Sequence, residues 1–223
     1  DRLWAIELPF LFQSYEHAEK VFEGPLAQQL MAGMPDVGLR GVAFAYSGGF
    51  RIVPTRDREL HSVADFEGFC LRTSGNPVPE AMYSALGAQA IGADLEAIVA
   101  MTKAGRISGC EITYVRFDAL GLGEVFNVVN ETSHSLFTTM TVVNDAWFRK
   151  LPDAHQAAVV EAGETACRVE RQTAIREEAT TKQTYGTTAG MTIVKMAAAE
   201  HDELRAAGLA IHEAFAPRFG PQL

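Results

Sequence analysis

The spacing of apolar positions changes several times along the chain, and each change marks an element. Ser14 stands at a helix-cap position ahead of Tyr15 to Phe22, and Gly24-Pro25 separates that stretch from a second helical run through Leu26, Leu30 and Met31. From Leu39 to Tyr46 the pattern is that of a strand, and after Ser47-Gly48-Gly49 an extended piece from Phe50 to Val53 follows; together they fit one long, kinked strand. Ser62-Val63-Ala64-Asp65 has the form of a capping box and predicts a short helical turn before a strand from Phe69 to Thr73. Pro77 opens a helix that Gly87 ends, Ala88 to Ile91 reads extended, Leu95 to Ala104 helical, and Ile107 to Ile112 extended again. Val125 to Asn130 and Leu136 to Val143 read as further strands.

The segment from Asp153 to about Gln183 is rich in alanine and holds Gly163 as its only glycine or proline. It places Glu164 before Arg168 and Glu178 before Lys182 at the i,i+4 spacing that supports a long helix. Gly186 and Gly190 are expected to break it, Met191 to Val194 to be extended, and Ala197 to Phe215 to be helical with a pause at Gly208. Strands alternating with helices from Leu39 to Ile112 predict an α/β fold with a largely parallel sheet, whose ligands sit beyond the carboxyl ends of the strands.

Charge narrows the function classes. The 19 basic and 28 acidic residues sum to −9, which argues against a nucleic-acid partner. No stretch without Asp, Glu, Lys or Arg exceeds 13 residues (81–93 and 132–144), too short to cross a bilayer as a helix. The opening residues, Asp1 to Phe12, carry no readable signal peptide. Cys70, Cys110 and Cys167 are far apart and show no zinc or disulfide spacing, so they read as small apolar side chains.

Two arginines stand out. Arg51 follows a Gly-Gly pair and Arg72 ends an apolar strand, so both are cations at the strand ends where an α/β sheet presents its crevice. A guanidinium in that setting either closes an internal ion pair or faces a cavity and grips a carboxylate with its planar fork. Ser47, in Ala45-Tyr46-Ser47-Gly48-Gly49, loosely has the form of a nucleophile elbow, but the residues after it are extended where the elbow needs a helix. Cys110 beside Glu111, with His134 as a base, is a second hydrolase arrangement; a buried thiol and a Glu acting as acceptor or structural partner is the plainer reading. Gly121-Leu122-Gly123 lacks the rest of a dinucleotide fingerprint, and Asn130-Glu131-Thr132 is a chance glycosylation triplet as readily as a real one.

Leu8 to Phe12, Gly49-Phe50-Arg51, Leu71-Arg72, Leu86-Gly87-Ala88, Gly109 to Glu111, and Trp147 to Pro152 with the long helix after them occur in an order that resembles the DctP-like solute-binding proteins of TRAP transporters. The resemblance covers nearly the whole chain. It implies a two-lobed, periplasmic-binding-protein-like α/β fold with hinge-crossing strands and a hinge-spanning helix, lobe I (1–48 and 137–177) lacking its opening part and lobe II comprising 49–136 and 178–223. It implies a periplasmic, monomeric, non-enzymatic protein, without cofactor or metal, that closes on a small-molecule organic acid and hands it to the permease subunits in the membrane. Arg72 matches the family's carboxylate-binding arginine and Arg51 the second ligand-side arginine, with Phe50, Glu111 and Ile112 beside the ligand. Ile112 stands where the family has a ligand-contacting asparagine, which implies a ligand with an apolar part there. Two readings compete: a hydrolase using Ser47 or Cys110, and the ligand-sensing domain of a receptor.

Overall fold

One long strand organises the chain. In the computed structural model, which describes residues 2–188 and 190–219, β1 (Leu39–Thr55) runs through two different sets of partners. Its first half pairs antiparallel with β7 (Leu136–Asn144), from Leu39 opposite Asn144 to Phe50 opposite Leu136. Between Tyr46 and Gly49 the register slips: three steps along β1 face a single step from Thr138 to Phe137. Gly48 and Gly49 have φ of 89° and 97°, a backbone region that side chains with a Cβ avoid, so the glycine pair is what lets the strand kink there. Beyond the kink β1 pairs with β5 (Ile112–Thr113), β4 (Gly109–Cys110) and β6 (Val128–Glu131), all antiparallel.

The alternation of strands and helices predicts a largely parallel sheet, and the sheet is mixed instead. Parallel pairing is confined to β2 (Cys70–Thr73) with β3 (Gln89–Gly92) and with β4, and to β6 with β8 (Thr192–Lys195). The reason is β1 itself, which enters the sheet from the opposite direction and supplies every antiparallel ladder.

Three apolar clusters fill the interior. Strand alternation sends Val53 to one face, with Phe66, Leu71, Tyr83, Leu204 and Phe215, and its neighbour Ile52 to the other, with Ile98, Tyr114, Phe117 and Val129. The third gathers α1 (Tyr15–Phe22) and α2 (Pro25–Met31) on the first half of β1 through Phe12, Phe22, Phe44 and Tyr46. Ser14 caps α1 by accepting from the His17 amide, and Ser62 with Asp65 forms the expected capping box. Asn130 is 1% exposed; its amide group donates to the Val53 carbonyl at 2.9 Å while its oxygen accepts from the Leu60 amide at 2.7 Å. A side chain so enclosed is no glycan acceptor.

The long helix α7 (Asp153–Thr187) runs through Gly186 without breaking, and α8 (Ala198–Phe219) shows no pause at Gly208. Gly208 is there for contact, since a Cβ would meet the Phe10 ring at 2.7 Å. The segment from Tyr114 to Ala119, unassigned by pattern, is helix α5. Along α7 the predicted i,i+4 partners are drawn to distant groups. Arg168 binds Glu23 at 3.1 Å and Lys182 binds Glu131 at 2.5 Å. Arg171, 3% exposed, donates to the Phe44 carbonyl and both oxygens of Glu19, and Tyr185 donates to Asp118. The helix thus grips α1 and the first half of β1 at one end, and α5 and β6 at the other.

Candidate functional site

The kink in β1 determines which of its side chains meet. Phe50 and Arg51 are consecutive and point to opposite faces. Phe50 lines a cavity with Phe10, Phe12 and His201, whereas Arg51 lines another of about 270 Å³ with Arg72, Ser74, Asp94, Leu95, Glu96, Glu111, Ile112 and Phe137. Four of the five sequence-derived ligand residues therefore come together, and Phe50 stands apart from them. The strands deliver the four: Arg51 from β1, Arg72 from β2, Glu111 from between β4 and β5, and Ile112 from β5, in register opposite Ile52.

The two arginines are both buried, at 3% and 4% exposure, and differ in what surrounds them. Arg51 is enclosed. Its Nη2 donates to Glu7 Oε2 at 3.2 Å, its Nη1 lies 3.6 Å from Glu111 Oε1, and its guanidinium sits 3.9 Å from the centre of the Phe137 ring. Burial would weaken the guanidinium's hold on its proton, but Glu111 and Glu7 outweigh that and raise its pKa. Arg72 Nε donates to the Ala93 carbonyl at 2.7 Å, and among the described residues no carboxylate lies within ion-pair distance of Arg72. Burial pushes its pKa down. A buried cation with no carboxylate partner that lines a cavity has the chemistry to accept an anion.

Glu111 anchors the polar floor. It is fully buried, and its Oε2 lies 3.4 Å from His134 Nε2, which also contacts the Tyr83 hydroxyl at 3.1 Å; His134 Nδ1 meets Thr132 Oγ1 at 2.7 Å. Burial alone would raise the Glu111 carboxyl, but Arg51, His134 and Arg72 hold it below the ordinary range. Burial lowers the His134 pKa, with Glu111 opposing, and it raises the Glu7 carboxyl against the pull of Arg51. Glu111 is thus a fixed anion serving Arg51.

The nucleophile candidates find different surroundings. Ser47 Oγ accepts from Arg116 Nε at 2.8 Å, inside an extended segment. Cys110 is wholly buried and its thiol is pushed well up by burial, the reverse of what a thiolate nucleophile requires. Among the described residues no histidine hydrogen-bonds to either.

Pattern reading missed Glu7, Leu95 and Phe137. Glu7 comes from a 3₁₀ turn (Arg2–Glu7) 44 residues before its partner, and Phe137 from the strand start beyond the β1 slip. Neither separation leaves a local signal; Leu95 is an ordinary apolar position at the start of a turn.

The profile of the DctP family, bacterial extracellular solute-binding protein family 7, matches residues 2–218. A solute-binding protein of Verminephrobacter eiseniae is 27% identical over 166 residues, 74% of this chain and 49% of that protein. The 2,3-diketo-L-gulonate-binding periplasmic protein YiaO of Escherichia coli is 25% identical over 167 residues, 75% of this chain and 51% of that one. The chain spans about half the length of these curated relatives. A crystal structure of a TRAP periplasmic solute-binding protein from Ochrobactrum anthropi, its C-terminus bound in the ligand-binding pocket, superposes with a TM-score of 0.89 at 28% identity, covering 99% of this chain and 68% of that one. With the family profile matching residues 2–218 and the fold shared with a solved member, the chain belongs to the DctP family of TRAP solute-binding proteins.

Proposed function

We propose that the protein captures an organic acid in the periplasm, by a contact between the acid's carboxylate and Arg72, and delivers it to the permease subunits of a TRAP transporter. The observation that carries this is Arg72 itself, 4% exposed, without a carboxylate partner among the described residues and lining a cavity beside Arg51 and Ile112. The family supports it, and a relative that binds 2,3-diketo-L-gulonate supports an organic acid as cargo. In this reading Arg51 holds the floor of the site and Glu111 fixes Arg51. Residues 1–48 and 137–177 form one lobe and 49–136 with 178–223 the other, closing about the kink in β1 and along α7. The separate cluster around Phe22, Phe44 and Tyr46 supports that division in part, since Leu136 joins it and Leu8 and Phe10 pack with the other lobe. Ser47 and Cys110 carry no chemistry. Among the described residues no helix is long and apolar enough to cross a membrane.

The test is native mass spectrometry of the purified protein, with identification of any small molecule released on denaturation, followed by titration of that acid into an Arg72→Ala variant. Loss of the paired buried charge weakens binding by about 2–5 kcal/mol, about 30- to 5000-fold in Kd. A change below about threefold with circular dichroism intact would remove Arg72 from the site.

A further inference from the structure

We propose that this cleft selects a monocarboxylate with an aliphatic or aromatic body and discriminates against dicarboxylates and polyhydroxylated sugar acids; the inference rests on the Arg72 contact above. Charge accounting comes first. Of the two arginines lining the cavity, Arg51 is already held by Glu7 and Glu111, and Phe137 covers one of its faces. Arg72 is left as the cation able to take one carboxylate.

Among the described residues lining the cavity a second carboxylate on the same ligand would find no further cation, since Arg116, behind the Phe137 ring, donates to Ser47 and is not part of the lining. Such a carboxylate would share the cavity with Asp94 and Glu96, both exposed and both lining it, so its approach sets like charges against each other. Cys110 and Ala93 beside Arg72 offer a thiol and a carbonyl and no positive charge.

The rest of the lining settles the body of the ligand. Leu95, Ile112 and Phe137 contribute apolar surface around the two guanidinium groups, and Ile112 is 1% exposed, a rigid β-branched wall at the sheet end. Hydroxyls pressed against these side chains would lose their water without gaining partners, whereas methylene groups or a ring would gain contact. Ser74 alone adds a neutral hydroxyl, and it is exposed.

The experiment is calorimetric titration of the full-length protein, freed of any retained small molecule, with hexanoate, phenylacetate, succinate and D-glucuronate. Hexanoate or phenylacetate is expected to bind at least about 10-fold more tightly than succinate or glucuronate. Ile112→Asn is expected to narrow that ratio by about fivefold or more, with Arg72→Ala abolishing binding of every acid that binds. Equal or tighter binding of succinate or glucuronate overturns the inference and, where Arg72→Ala abolishes that binding, leaves the carboxylate reading standing. Binding of none of the four also overturns it. A carboxylic acid extracted from the purified protein then keeps the proposed function, and an extract without one, together with no binding, removes both.

Discussion

Glu178 offers the sharpest test of how the long helix is fastened to the kinked strand. The Tyr15 hydroxyl donates to Glu178 Oε2 and accepts from the Phe50 amide at 3.2 Å, so α7, α1 and β1 meet through one phenol at the kink. Burial pushes the Glu178 carboxyl up to about 7; the Tyr15 hydrogen bond and Lys182 pull it down, and Glu131 adds to the rise. A carboxyl raised above its unfolded value of 4.5 keeps a proton in the folded protein that the unfolded chain has released. Its stabilising contribution is therefore complete below about pH 4.5, declines as pH rises, and is gone above about pH 7. The full span is worth about 3 kcal/mol at about 1.4 kcal/mol per tenfold change in acidity constant, and partial solvent access reduces the expected share to about 2 kcal/mol. Glu178→Gln retains an acceptor for Tyr15 but cannot titrate. Urea unfolding of both proteins at about pH 5 and about pH 8 isolates the group, because Glu7 and His134 titrate alike in each and cancel in the difference. Wild type is expected to lose about 2 kcal/mol relative to the variant over that interval; parallel behaviour within about 0.5 kcal/mol would refute the reasoning.

Three further outcomes follow from the same framework. Gly49→Ala is expected to destabilise by about 2 kcal/mol or more, since φ is 97° and the new methyl runs into the Tyr15 hydroxyl and Glu178; chemical denaturation measures it, and a neutral result means the kink needs no glycine. Glu111→Gln removes the anion between Arg51 and His134, with an expected loss of about 3 kcal/mol and a fall in Tm of about 6–12 °C by calorimetry; a shift under about 2 °C would mean Glu7 alone suffices for Arg51. Asn130→Ala strips the Leu60 amide and Val53 carbonyl of their partners at a cost of about 2 kcal/mol, and hydrogen exchange at the Leu60 amide should accelerate; unchanged protection there would contradict the role.

What could be read from the chain was what depends on near neighbours. The Ser62–Asp65 box, the Ser14 cap, the kink at Ser47-Gly48-Gly49 and the length of α7 all rest on contacts within a few residues, and each is found. The direction of β1 relative to its partners depends on segments 54 (Thr55 to Gly109) to 105 (Leu39 to Asn144) residues away, and the sheet is mixed for that reason. Gly186 and Gly208 show a second limit: a glycine marks a break only where no packing holds the helix together, and here Ile193 and Phe10 close on them. In the sequence Arg51 and Arg72 are legible as cations at strand ends and Glu111 as an acceptor or structural partner, while Ile112 enters only through the family resemblance; the four line one cavity. The resemblance, through Gly49-Phe50-Arg51, sets Phe50 beside the ligand as well, and strand alternation turns it to another cavity.

The two arginines show what only the fold could separate. In the sequence each is a guanidinium at a strand end, and either could grip an anion. In the structure Arg51 meets Glu7 and Glu111 across separations of 44 and 60 residues, with Phe137 over its face, so its charge is consumed in holding three parts of the chain together. Arg72 meets a carbonyl and a cavity. A buried charge is costly without a partner, and that cost is what supports Arg72, the arginine without a carboxylate among the described residues, as the proposed ligand contact. The net charge of −9 does not oppose this. Potential at a partly desolvated group is governed by the nearest charges, and Glu111, the nearest buried carboxylate to the cleft, is already paired with Arg51. In the proposed reading the buried anion of the site, Glu111, is held by Arg51, while Asp94 and Glu96 stand at its exposed rim.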